Sequence, residues 1–275
     1  MNAQTAAATT ASSVILLRED KGGGVAILTL NRPQTRNSLS EELLGALSDA
    51  LEAIAQERSV RVVILAANGP AFSAGHDLKE LNAHRSDHDR GRAYFKNIMG
   101  LCSGVMQQIV TLPQPVIAAV QATATAAGCQ LVASCDLAIA SDAAKFATPG
   151  VNIGLFCSTP MVALSRNVSR KHAMQMLLTG DLISADEALR IGLVNHVVAA
   201  GHEQAEALKL AEKIASKSTL TVKIGKEAFY RQAEMTLADA YNYASAVMVE
   251  NMLARDAEEG ISAFIEKRGA KWQDR

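Results

Sequence analysis

The feature that most constrains this 275-residue chain is a change of pattern near residue 200. Before it, apolar runs of strand length alternate with segments of helical periodicity. From His202 onward only the helical pattern continues. Val60 to Ala66 is a continuous apolar run closed by the turn Asn68-Gly69-Pro70, and it reads as a strand. Ser13 to Arg18 and Val25 to Leu30 are further strand candidates, with Gly22-Gly23-Gly24 between them as a hairpin turn. Ser40 reads as an N-cap, after which Leu43, Leu47, Leu51 and Ile54 recur at helical spacing. Arg92 to Thr111 is predicted to be a helix, and Pro113 and Pro115 frame a break before a strand at Val116 to Val120. A short helix and a strand at Asp136 to Ala140 are expected next. Ser184-Ala-Asp-Glu187 has the form of a capping box, and Leu193 to Val198 is the last predicted strand. The chain is therefore expected to be a mixed α/β protein. Its parts are a tail without order at 1–12, a βα core at 13–200 in which strand-strand-helix units recur loosely, and a helical region at 201–275.

A chain of this length can bury a large core. Its formal net charge of −1, with acids and bases interspersed, gives no electrostatic reason to expect nucleic acid or membrane as a partner. No apolar run approaches the length of a membrane span. Met1 to Ser12 has neither the basic start of a secretory signal nor the arginines of a transit peptide, so a cytoplasmic location is expected. Cys102, Cys129, Cys135 and Cys157 lack metal-ligand spacing and are expected to be free thiols, with no metal bound. Leu237, Tyr241, Ala244 and Met248 form an apolar helical face that something must cover, and a second copy of the chain is the simplest cover.

Two segments carry the chemistry. One is Ala71-Phe-Ser-Ala-Gly-His-Asp-Leu78. The other is Val120-Gln-Ala-Thr-Ala-Thr-Ala-Ala-Gly-Cys-Gln130-Leu. Each places small residues after a strand-like run and at or before a helix start. Small residues let main-chain N–H groups approach a ligand oxygen, and a helix N-terminus adds partial positive charge. Two such donors aimed at one carbonyl oxygen make an oxyanion hole.

Together, and in this order, the two segments resemble the enoyl-CoA hydratase/isomerase (crotonase) family. The resemblance spans nearly the whole chain. It includes Leu30-Asn-Arg-Pro33 with Asn37 and Leu39, then Ser134-Cys-Asp-Leu-Ala-Ile-Ala140. It continues through Thr179-Gly180 and closes on Glu259-Gly-Ile-Ser-Ala-Phe-Ile-Glu-Lys-Arg268. Thr148 to Pro160 looks most like the branch called enoyl-CoA hydratase domain-containing protein 3. The resemblance implies an α/β fold, a crotonase-type spiral of strand-strand-helix units with a C-terminal helical oligomerisation region. It also implies a homo-oligomer, a trimer or a dimer of trimers, and an acyl-CoA thioester ligand with no cofactor beyond that coenzyme A.

By the same resemblance, the main-chain N–H groups of His76 and Ala127 hold the thioester oxygen. Ala74, Asp77, Leu78, Ala126 and Pro149 line the site. Asp77 is expected to order its loop rather than transfer protons. Arg36, with Arg32 as a second candidate, is expected to meet coenzyme A phosphates, and Phe264, Lys267 and Arg268 to reach the site from a neighbouring subunit. The departures matter as much. The two glutamates with which family hydratases move protons fall on Gln130 and Gly150. Neither a carboxamide nor a hydrogen can carry a proton near neutral pH. Asn152, Cys157, Ser158, His84 and His88 are the available replacements. The expected activity is a hydratase-type lyase that stabilises a thioester enolate without its usual acid and base. The alternatives are a malonyl-type acyl-CoA decarboxylase and a non-catalytic acyl-CoA-binding protein.

Overall fold

The computed structural model describes residues 14–275, so the expected tail at 1–12 lies outside the described residues. The described residues form ten strands: β1 (Leu16–Asp20), β2 (Val25–Leu30), β3 (Val62–Ala67), β4 (Ala71–Ser73), β5 (Val116–Val120), β6 (Thr123–Thr125), β7 (Leu137–Ser141), β8 (Lys145–Ala147), β9 (Ile183–Ser184) and β10 (His196–Val198). Helices α1 (Glu41–Gln56), α2 (Leu78–Ala83), α3 (Arg92–Thr111), α4 (Ala127–Ser134), α5 (Pro160–Asn167), α6 (Arg170–Thr179) and α7 (Ala185–Arg190) lie between them. Four more follow the last strand: α8 (Glu203–Ala215), α9 (Thr219–Gln232), α10 (Leu237–Met252) and α11 (Arg255–Ile265).

A six-stranded sheet runs in the order β1-β2-β3-β5-β7-β10. Only β1 is antiparallel to its neighbour, through the glycine hairpin. The continuous apolar runs have a simple cause, because both faces of the sheet are covered. Ala26, Leu28, Leu30, Val63 and Leu65 pack among Leu43, Leu47 and Leu51 of α1 and Ile98 and Cys102 of α3. The alternate residues Val25, Ile27, Val62 and Ile64 pack against Ala207, Ala211 and Ala215 of α8. Those alanines recur every four residues, so α8 presents one smooth stripe to the back of the sheet. Ser40 caps α1 by accepting from the Leu43 N–H at 3.3 Å, and Ser184 caps α7 by accepting from the Glu187 N–H.

A second sheet of four short strands, β4-β6-β8-β9, stands beyond the first. Each of β3, β5 and β7 hands the chain to one of its strands, which then leads to helical structure. The fold is thus the crotonase-type α/β architecture of strand-strand-helix units expected from the sequence, with helices at the C-terminus.

Several local expectations need correction. The stretch Phe72 to Leu78, which reads in the sequence as a compact loop leading toward a helix, is not all loop, since its start belongs to β4, which pairs in parallel with β6. Three-residue strands are too short to show a period. The polar, histidine-bearing stretch Asn82 to Arg92, which reads in the sequence as a surface loop, is not one open loop. Helix α2 runs to Ala83, a 3-10 turn covers His84–Ser86, and the His84 ring stacks on Tyr94 at 3.6 Å between centroids. Strand β1 begins at Leu16 and strand β10 at His196, so the apolar residues before His196 serve packing rather than pairing. No helix of the described residues is long and apolar enough to cross a membrane.

Candidate functional site

The site is assembled where β4 and β6 meet the start of α4. Its frame is a polar lattice below β4. Asn37 is fully buried in a left-handed conformation with φ 50, which asparagine tolerates better than most residues. Its side-chain amide donates to Asn68 O and Ala71 O at 2.8 Å, and its Oδ1 accepts from the Arg32 N–H. Ser73 Oγ donates to Asn37 O at 2.8 Å and accepts from the Gly75 N–H. The Ala74 N–H donates to Arg36 O, and the Leu39 N–H to Gly75 O. Residues 73–76 are therefore held on both sides before any ligand arrives.

Helix α4 approaches this segment closely because its second residue is glycine. A Cβ on Gly128 would stand 2.2 Å from Ser73 O. Gly75, with φ +87, closes the other side of the contact. A Cβ there would lie 2.9 Å from the Ala126 methyl and 3.2 Å from the Ala127 nitrogen. The two segments singled out in the sequence are thus in contact at these residues. Ala126 is the N-cap of α4 at φ 51 and ψ −120, a region that suits glycine, and its side chain makes no cap. Among the described residues, no acceptor meets the main-chain N–H of His76 or of Ala127.

The His76 ring is half-buried, and both its nitrogens are buried without a partner. Burial lowers its pKa below 6.5 against a smaller raising effect from the nearby Leu39 main chain, so the neutral ring dominates at pH 7. Asp77 caps α2, accepting from the N–H groups of Lys79 and Glu80, and also accepts from Ser38 Oγ. Burial would raise its pKa, but these hydrogen bonds and nearby Arg32 hold it below the usual value. Leu78 begins α2 and is exposed.

Gln130 lies one turn into α4 from Ala127 and is buried, with Oε1 unpartnered. It lines a cavity of about 540 Å³ with Met106 and Val110 of α3, Val162 of α5 and Tyr230 of α9. Gly150 is buried in a 3-10 turn, Pro149–Ile153. A Cβ there would meet Leu155 O at 2.8 Å and Cys157 Sγ at 2.9 Å. The Cys157 thiol accepts from the Gly150 N–H at 3.3 Å, and burial raises its pKa. All four cysteines are free and buried.

The remaining residues divide. Arg36 is exposed beside Ala74, whereas Arg32 is bound to Ser40 Oγ at the cap of α1. His84 pairs with Asp87, Ser158 donates to Phe156 O, and Asn152 is exposed. His88 is exposed in the turn before α3. Phe264 and Lys267 are exposed at and beyond the end of α11, with Phe264 85% exposed. Arg268 is bound to Glu259 and Glu266. Sequence reasoning missed Ser73 and Gly128, whose roles depend on partners far away in the chain.

The family described as Enoyl-CoA hydratase/isomerase matches residues 20–275. The chain is 49% identical over 249 residues to the Rattus norvegicus protein "Enoyl-CoA hydratase domain-containing protein 3, mitochondrial", covering 90% of this chain and 81% of that one. The Homo sapiens counterpart is also 49% identical, with 90% and 80% covered. Among solved structures, an enoyl-CoA hydratase from Mycobacterium smegmatis superimposes with a TM-score of 0.89 at 50% identity, covering 94% of this chain and 99% of that one. Human enoyl Coenzyme A hydratase domain-containing protein 3 gives 0.89 at 47% identity, with 94% and 100% covered. These relatives overturn the cytoplasmic expectation, because the rat and human proteins are mitochondrial by name. That expectation rested on residues 1–12 lacking the marks of a signal or transit peptide, and the lack of such marks does not by itself set a compartment.

Proposed function

Because the chain belongs to the enoyl-CoA hydratase/isomerase family, we propose that it binds an acyl-CoA thioester and stabilises the enolate of that thioester. The oxygen lies between the main-chain N–H groups of His76 and Ala127. One observation carries the reading: the backbone at Gly75 leaves no room for a Cβ against Ala126 and the Ala127 nitrogen, and among the described residues the main-chain N–H groups of His76 and Ala127 lack acceptors. A preorganised donor of this kind contributes about 10²–10³ in rate. Gln130 faces the acyl group, Arg36 is the candidate for coenzyme A phosphates, and no cofactor is needed beyond that coenzyme A.

Hydration of an enoyl-CoA, the reaction in the names of the relatives, also needs protons moved. Loss of a general acid or base costs about 10²–10⁴. Neither Gln130 nor Gly150 can supply one, and Cys157 holds its proton. Hydration is therefore slow. A second reading is favoured by the absence of any carboxylate at those two positions. A malonyl-type thioester brings its own carboxylate, and no like charge at either position opposes it. Its carbon–carbon bond breaks, carbon dioxide leaves, and the electron pair passes into the enolate. The enolate carbon then takes a proton from water. No protein base is required.

Exposed Leu237, Tyr241 and Met248 on α10 and Leu253 after it support self-association, as a trimer or a dimer of trimers. The discriminating experiment compares hydration of a short enoyl-CoA with carbon dioxide release from methylmalonyl-CoA, alongside calorimetry with butanoyl-CoA. Binding with either activity supports the thioester reading. Failure to bind any acyl-CoA removes it.

A further inference from the structure

Helix α9 has an unusual attachment. None of its residues is fully buried, so apolar packing does not seat it on the core. It is pinned instead by two polar side chains one turn apart. Lys226 Nζ donates to Ile109 O at 2.9 Å, Gln114 O at 3.0 Å and Asp136 Oδ2 at 2.7 Å. The Tyr230 hydroxyl donates to Asp136 Oδ1 at 2.9 Å. Asp136 is itself fixed, since it accepts from the Val116 N–H at 2.7 Å.

Three of the cavities that border this anchored helix meet at Tyr230. One is the cavity of about 540 Å³ that Gln130 lines. A second, of about 460 Å³, lies over Leu112 and Pro113 and reaches Lys223 and Glu227. A third, of about 380 Å³, runs along Pro115, Ile214 and Phe229. Tyr230 lines all three. The first two also share Val110 and Thr111, so Tyr230 with the end of α3 is the wall between them. The Tyr230 ring is held from two directions, by its bond to Asp136 and by an edge-on contact with Phe229 at 5.3 Å.

We propose that Tyr230 is a specificity-determining residue whose ring limits the size of the acyl group admitted beside Gln130. The inference rests on the thioester reading above and adds a bound on its substrate class: acyl groups that fit one cavity, not two. Removing the ring joins the two spaces and nearly doubles the volume open to the acyl chain.

The test is calorimetric titration of the full chain with butanoyl-, octanoyl- and hexadecanoyl-CoA. Tyr230→Ala raises the affinity for hexadecanoyl-CoA relative to butanoyl-CoA by about tenfold or more, the equivalent of roughly two further buried methylenes. Tyr230→Phe keeps the ring and the parental ratio. Val110→Ala opens the same wall from α3 and shifts the ratio the same way by a smaller factor. A folded Tyr230→Ala protein with the parental ratio overturns the proposal. Equal shifts from Phe and Ala also overturn it, because the hydroxyl tether would then be the cause. Should Tyr230→Ala fail to fold, a parental ratio in Val110→Ala overturns it. A parent protein that binds none of the three probes overturns the thioester reading and this inference together.

Discussion

Restoring a carboxylate at residue 150 is the obvious way to ask whether this site is a disarmed hydratase, and the structure predicts that it fails. A Cβ on Gly150 stands 2.8 Å from Leu155 O and 2.9 Å from Cys157 Sγ. A carbon–oxygen contact of that kind is ordinarily no closer than about 3.3 Å. The obstruction is main chain, so no rotamer change relieves it. Forcing an added group into a packed site costs about 1–3 kcal/mol, so Gly150→Ala alone is expected to lose that much in urea unfolding. Gly150→Glu is expected to lose at least as much and to gain no hydration. Cys157→Ala recovers only part of the loss, because Leu155 O stays in place. Gln130→Glu is the informative partner. Gln130 already faces a cavity, so the new carboxylate has room, and burial raises its pKa toward the working range of an acid. Hydration of a short enoyl-CoA by Gln130→Glu is expected to rise by about 10² or more over the parent. A Gly150→Glu protein with parental stability and faster hydration would refute the steric argument.

Three further outcomes follow from the same geometry. Asn37→Ala leaves Asn68 O and Ala71 O without their buried donor, and is expected to cost about 2–5 kcal/mol in urea unfolding and to weaken acyl-CoA binding as residues 73–76 loosen. Ala126→Gly relieves a main-chain conformation that alanine rarely adopts, and is expected to stabilise the fold by about 1 kcal/mol; an unchanged melting temperature would count against strain at that residue. His76 is neutral when folded because burial lowers its pKa below the unfolded value of 6.5. The unfolded chain then binds more protons below that pH, so stability is full above pH 6.5 and declines as pH falls through the folded pKa. The decline should be shallower in His76→Asn, while binding of butanoyl-CoA by the parent should show no step at pH 6.5, since a main-chain N–H does not titrate.

What could be read from the chain follows physical period. Arg92–Thr111 spans about five and a half helical turns, and its predicted bounds match α3. Val25–Leu30 is equally legible, because a strand covered on both faces leaves a continuous apolar run. Strands β4, β6 and β8 left no such mark. Three residues cannot express an alternation, and those strands exist only because each pairs with its neighbours in the second sheet. At the candidate site, small residues before two helix starts marked the two segments, and the family resemblance singled out His76 and Ala127 within them. Ser73, Gly128 and Asn37 join residues more than thirty positions apart, and no local pattern encodes that.

The sequence by itself determined the α/β architecture, because periodicity and local turn chemistry are properties of neighbouring residues, and its motifs carried the resemblance to the family. It also recorded that residues 130 and 150 are not carboxylates. Only the tertiary structure decided what those absences mean. Gln130 opens onto a cavity walled by Tyr230, whereas Gly150 is closed in by Leu155 O and Cys157 Sγ. One position has space for a carboxylate and the other has none, and that difference lies in distances between segments that the chain brings together only on folding.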